Sequence, residues 1–167
     1  MNTKTNDQIS TAATIVAEPG TQRITITRDF AAAPEKVWRA FTDPELLAKW
    51  MGPDRLTTTI ETNEVRNGGR WRMVHTDTDG TEFRFHGVYH GDQSADLSMR
   101  TFEWEGLPGH VSFEWMRIED LGQGRSRVHS SSVFMSVEDR DGMIANGMDV
   151  GVNEGYARLD EILAAGS

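Results

Sequence analysis

Along most of the chain hydrophobic positions alternate with polar ones, and the pattern changes to helical spacing in two places. Between Gln22 and Phe30, Ile24 and Ile26 alternate with Thr25 and Thr27, the period of a half-buried strand. Pro34 suits a first helical position, and Val37, Trp38 and Phe41 follow at helical spacing. Asp43 and Pro44 break that helix and open a second, with Leu46, Leu47 and Trp50 on its apolar side. The centre reads as strands: a weak alternation over 57–65, then Trp71, Met73 and His75 sharing one parity, then Phe83, Phe85, Gly87 and Tyr89 sharing another. Further strand candidates cover 95–105, 110–120 (with Val111, Phe113 and Trp115 alternating) and 125–135.

The turn after His75 sets a register. A three-residue loop of Thr78, Asp79 and left-handed Gly80 pairs Asp77 with Thr81, and places Trp71, Met73 and His75 beside Gly87, Phe85 and Phe83. A two-residue turn pairing Asp77 with Glu82 would instead set Trp71 and Met73 beside His86 and Arg84. The first register is preferred because it gathers the aromatics on one face, where burial offsets the entropy of ordering them. Gly87, without a side chain in that row, lets the sheet bend or a helix come close.

From Val137 to Ala165 the pattern predicts one long helix, with Met148, Val152, Tyr156, Leu159 and Leu163 on an apolar stripe. Gly147, Gly151 and Gly155 stand four apart in it. Each costs about 0.8–1 kcal/mol relative to alanine, so the row requires close packing on the sheet or a gap left for a ligand. The succession of antiparallel hairpins argues against a parallel nucleotide-binding sheet, and predicts an α+β fold in which a curved antiparallel sheet of about seven strands grips the C-terminal helix. Residues 1–20 are polar apart from Ile15, Val16 and Ala17, and read as a flexible tail or an added edge segment before a domain over 21–165.

Composition narrows the function. Seven Phe and five Trp supply large side chains for a core and a pocket wall. A formal charge of -9 repels polyanions, so no nucleic-acid partner is expected. Without cysteine there is no disulfide, thiolate metal site or cysteine nucleophile, which fits a reducing cytosol. No signal-like start or long apolar run is present, so the expectation is a cytoplasmic protein without stable membrane insertion.

The polar residues make no recognisable catalytic set. His86 and His90 lie on one strand face roughly 13 Å apart, too far for one metal ion. His75, on the aromatic parity, is either a hydrogen-bonded core histidine or a polar anchor or acid/base group in a cavity. Glu103 and Glu114 flank a hairpin and are candidate cross-strand neighbours; facing solvent they would pair with Arg72, Arg84, Arg100 or Arg117, whereas an inward arginine would suggest an anionic ligand. Ser130, Ser131 and Ser132 lack a nucleophile elbow, and Asn67-Gly68-Gly69 is a turn, unlike a phosphate loop. No catalytic residue, cofactor or metal is assigned.

The whole pattern resembles the START-like or SRPBCC superfamily and, within it, the small single-domain bacterial members of the heat-shock ATPase activator homologue family. The resemblance covers roughly residues 22–165. It is carried by ITRDFAAAPEKVWRAFTDPELLAKWMGP, VRNGGRWRMVHTDTDGTEFRFHGVYH, TFEWEGLPGH and SVFMSVEDRDGMIANGMDVGVNEGYARLDEIL. It implies a helix-grip fold with two short helices after the first strand and a deep cavity between sheet and C-terminal helix. Carried over residue by residue, it implies Trp50 near the cavity mouth and walls from Trp71, Met73, His75, Phe85, Phe102 or Trp104, Phe113 or Trp115, and Met148, Val152 and Tyr156. Its leading functional expectation is binding of a small hydrophobic or aromatic molecule. A cyclase, dehydratase or hydrolase using the same cavity, and a stress-response or chaperone-linked interaction module, are the alternatives; a homodimer fits the family.

Overall fold

The computed structural model describes residues 12–166. Its strands are β1 (Thr14–Val16), β2 (Arg23–Phe30), β3 (Thr57–Asn63), β4 (Arg70–Thr76), β5 (Glu82–His90), β6 (Ser98–Trp104), β7 (Val111–Gly122) and β8 (Arg125–Val133). Helices α1 (Pro34–Thr42) and α2 (Pro44–Trp50) follow β2, and α3 (Val137–Ala145) and α4 (Met148–Ala165) close the chain. All strands join one antiparallel sheet in the order β1-β2-β8-β7-β6-β5-β4-β3. The sheet therefore has eight strands. The additional one, β1, comes from the N-terminal segment, while the tail reading of residues 1–11 lies outside the described residues.

The β4–β5 hairpin takes the three-residue turn. Asp77 donates its N–H to the Thr81 carbonyl at 2.8 Å, Gly80 has φ +88°, and Trp71, Met73 and His75 pair with Gly87, Phe85 and Phe83. Gly87 has a different purpose from the bend or helix approach expected of it. The Trp71 indole reaches from β4 across β5 and donates to the Thr101 carbonyl of β6 at 3.0 Å, so a Cβ on Gly87 would collide with both groups.

Two short helices pack over one end of the sheet. The Asp43 carboxylate accepts from the Glu45 and Leu46 N–H groups and caps α2, which lets Pro44 occupy its first turn. The main core, including Phe30, Val37, Leu47, Trp50, Tyr156 and Leu159, lies where these helices and α4 meet the sheet. A second cluster of Trp71, Met73 and Tyr89 lies further along the sheet, and Met51 and Ile60 touch both.

The predicted single C-terminal helix is divided. Ser136 caps α3 by accepting from the Asp139 N–H at 3.0 Å, and α3 ends at Asn146; Gly147, left-handed at φ +81°, then starts α4. A residue with that φ cannot continue a right-handed helix, so Asn146-Gly147 acts as a stop followed by a new start. Arg28 of β2 holds Asp160 of α4 through two contacts of 2.6 Å, and Arg158 donates to the carbonyls of Trp50 and Gly52. These contacts fix α4 over the inner face of the sheet.

Candidate functional site

Between the sheet, the α2–β3 connection and α4 lies a cavity of about 340 Å³. Met73, His75, Phe85 and Phe102 form its sheet wall, Trp50 comes from the last position of α2, and Met148, Val152 and Tyr156 come from α4. Trp115 also borders it. Three candidates lie elsewhere. Trp71 is buried behind the wall, stacked 5.7 Å from Phe102 and held over Gly87 by its hydrogen bond. Trp104, beside Phe85 at the strand end, lines a separate recess of about 190 Å³ with Leu107, His110 and residues of α3. Phe113 is 39% exposed and lines neither space. On β7 Ser112, Glu114, Met116 and Ile118 point inward and Phe113 points outward, while half-buried Trp115 still reaches the border of the cavity.

The inward positions of β7 complete a polar row absent from the sequence reading. Tyr89, Arg100, Glu114 and Ser132 are successive register partners across β5, β6, β7 and β8. All four line the cavity. Arg100 donates from Nε to Glu114 at 2.9 Å and lies 4.1 Å from the Trp71 ring centroid, within cation–π range. Burial opposes the Arg100 charge, but Glu114 and Tyr89 more than offset it and raise its pKa above the usual guanidinium value. Glu114 therefore faces Arg100, and Glu103 pairs instead with Val111, so the expected glutamate pair across the hairpin does not form. The signal was the shared parity of Arg100 with Phe102; it required the register of β6 against β7, which the longer connection between Trp104 and Val111 leaves open even though Gly109 is left-handed as Gly80 is.

Phenols and an imidazole add further polarity. The Tyr89 hydroxyl donates to Asn63 Oδ1 at 2.5 Å, and burial raises its pKa, partly countered by Arg100. Burial pushes the Tyr156 phenol up to about 12, so it is neutral at physiological pH. His75, 7% exposed, has Nδ1 2.8 Å from the Thr58 hydroxyl, which is itself 2.6 Å from the Met51 carbonyl oxygen. Desolvation pushes His75 down from 6.5 to about 4 and keeps it uncharged at neutral pH. Its environment is apolar on the remaining sides, with Phe85 edge-on at 5.4 Å between ring centroids. Gly52 packs against the ring so closely that a Cβ there would meet Cε1 at 2.7 Å.

An antiparallel sheet gripping a C-terminal helix around an internal cavity defines a helix-grip domain of the START-like class. The family model for Activator of Hsp90 ATPase homolog 1-like protein matches residues 31–164, and the chain belongs to that family. Solved structures agree. A solution structure from Arthrobacter aurescens is 26% identical, covers 91% of each chain and has a TM-score of 0.82. A crystal structure from Rhodobacter sphaeroides is also 26% identical, covers 92% of this chain and 99% of its own, and has a TM-score of 0.83. Protein Ms6760 from Mycobacterium smegmatis shares the fold at 22% identity and a TM-score of 0.81, with 90% and 96% of the two chains covered. Among curated proteins, no sequence matches the chain. Among the described residues, no helix is long and apolar enough to cross a membrane.

Proposed function

We propose that this chain binds a small, largely apolar molecule of about one or two rings in the cavity beneath α4. The observation that carries the reading is a space of about 340 Å³ walled by Trp50, Met73, Phe85, Phe102 and Tyr156, with a few convergent polar groups. That volume is at the lower end of the range for ligand sites, roughly 300–1,000 Å³, and the mixture of aromatic walls and sparse polar groups is that of a binding pocket. The family itself is compatible with several functions, so the site's chemistry decides between them. His75 is uncharged, and the charge of Arg100 is balanced by Glu114, which favours recognition of a neutral molecule over a strongly anionic one.

Native mass spectrometry of freshly purified protein, followed by denaturing extraction, tests the reading. The expected result is a stoichiometric small compound, or thermal stabilisation by aromatic compounds when the protein is purified empty. Empty protein that no member of a diverse aromatic and lipid-like panel stabilises would remove this reading and leave the protein-interaction role to pursue.

A further inference from the structure

We infer that the cavity's ligand donates a hydrogen bond, from a hydroxyl or an N–H group, to Nε2 of His75. The inference rests on the binding role proposed above and adds the chemical class of the ligand.

One proton fixes the tautomer of His75. Thr58 Oγ1 lies 2.6 Å from the Met51 carbonyl oxygen and 2.8 Å from His75 Nδ1. A carbonyl oxygen has no proton to give, and two oxygens at that separation require a proton between them, so the threonine hydroxyl donates to Met51. A hydroxyl has a single proton. Toward His75 it therefore acts as acceptor, and Nδ1 carries the N–H. Burial holds the ring neutral, and a neutral imidazole has only one N–H, which leaves Nε2 with a lone pair. Both contacts that impose this tautomer are short, and the Met51 carbonyl is backbone, so the assignment does not depend on a mobile side chain.

Among the described residues Nε2 has no hydrogen-bond donor, and His75 lines the cavity beside Phe85 and Met73. A lone pair on an apolar wall is poorly satisfied unless the occupant supplies a donor. A carboxylate would place negative oxygen against that lone pair and be disfavoured. Arg100 does not reverse the preference, because Glu114 already compensates its charge. The class selected is a neutral aromatic alcohol, phenol or N–H heterocycle.

Two measurements decide it. Long-range nitrogen–proton correlation spectroscopy, with the His75 signals assigned by their loss in His75→Phe, should show the Nδ1–H form; an Nε2–H form would overturn the inference. Calorimetric titration near neutral pH with β-naphthol, its methyl ether and β-naphthoate should then give about tenfold or greater preference for the naphthol, and the naphthol-to-ether affinity ratio should fall to about one in His75→Phe. Equal affinity of wild-type protein for naphthol and ether would overturn the donor requirement and leave cavity binding standing. Absence of binding by all three would remove the cavity reading, and the inference with it.

Discussion

Gly155 packs directly on the backbone of Trp50: a Cβ at position 155 would lie 2.8 Å from the Trp50 carbonyl oxygen. Trp50 is held in turn by its indole N–H, which donates to the Ala40 carbonyl at 2.9 Å. Backbone on both sides leaves no flexible group to move aside. Gly155→Ala is expected to destabilise the fold by about 1–3 kcal/mol despite its better helix propensity, as overpacked cores do. Gly151 is the internal control. Its nearest neighbour would be Pro53 at 3.6 Å, an ordinary contact, so Gly151→Ala should stabilise by up to about 1 kcal/mol. Urea unfolding of both variants checks the opposite signs, and stabilisation by both would show that helix propensity alone governs α4.

Gly87→Ala should be more damaging than Gly155→Ala, because the added methyl meets the Thr101 carbonyl and the Trp71 indole nitrogen together. The bridge from β4 to β6 would have to open, losing a buried hydrogen bond and disturbing the Trp71–Phe102 stack. A loss of about 3 kcal/mol or more, or failure to fold, is expected in thermal and urea melts. Retention of wild-type stability would mean that the indole has another place to go.

Asp160→Asn tests the fastening of α4. Arg28 is 2% exposed in its side chain while Asp160 is 38% exposed, so the pair is only half shielded from water. The substitution leaves a buried guanidinium without its carboxylate, and a cost of about 2 kcal/mol is expected, below that of a fully buried pair. If chemical denaturation shows no change, the contact positions α4 without stabilising it.

Stability should fall as pH drops from about 6.5 to about 4, in part through His75. Above that window the imidazole is neutral in both states. Within it the unfolded chain takes up a proton that the folded chain refuses, so folding becomes less favourable; below it both states are protonated and the effect levels off. The integrated loss is on the order of 3 kcal/mol. Asp29 and Glu105, whose pKa values are lowered mainly by hydrogen bonds from Arg127 and Arg72, add their own acid sensitivity at lower pH. Those carboxylates are common to wild type and His75→Phe, so the difference between the two stability–pH curves isolates the histidine. Parallel curves would show that His75 is not desolvated in solution.

Legibility in the sequence followed local chemistry. The β4–β5 register could be read because Gly80 supplies a left-handed turn residue and because one parity gathers the aromatics. The row of three glycines could be seen but not divided. Gly147 terminates a helix, Gly151 meets ordinary contacts and Gly155 touches backbone, and that distinction comes from what each one packs against. β7 misled at Phe113, which alternates with Val111 and Trp115 as a buried face would yet is exposed, while the inner face carries Ser112 and Glu114 and Trp115 borders the cavity. Those polar positions become comprehensible only beside Arg100 on the neighbouring strand. A half-buried pair is distributed over two strands and leaves no periodic trace in either.

The sheet's two rims also differ from the straight edges that favour strand-to-strand aggregation. On one side the outermost strand, β1, is three residues long; on the other, β3 is interrupted by a register shift between Ile60 and Thr62. Among the described residues neither offers a long straight ladder of unpaired amides, the template that neighbouring molecules use to zip sheets together. Among the described residues, both edges of the eight-stranded sheet are therefore poor templates for sideways growth.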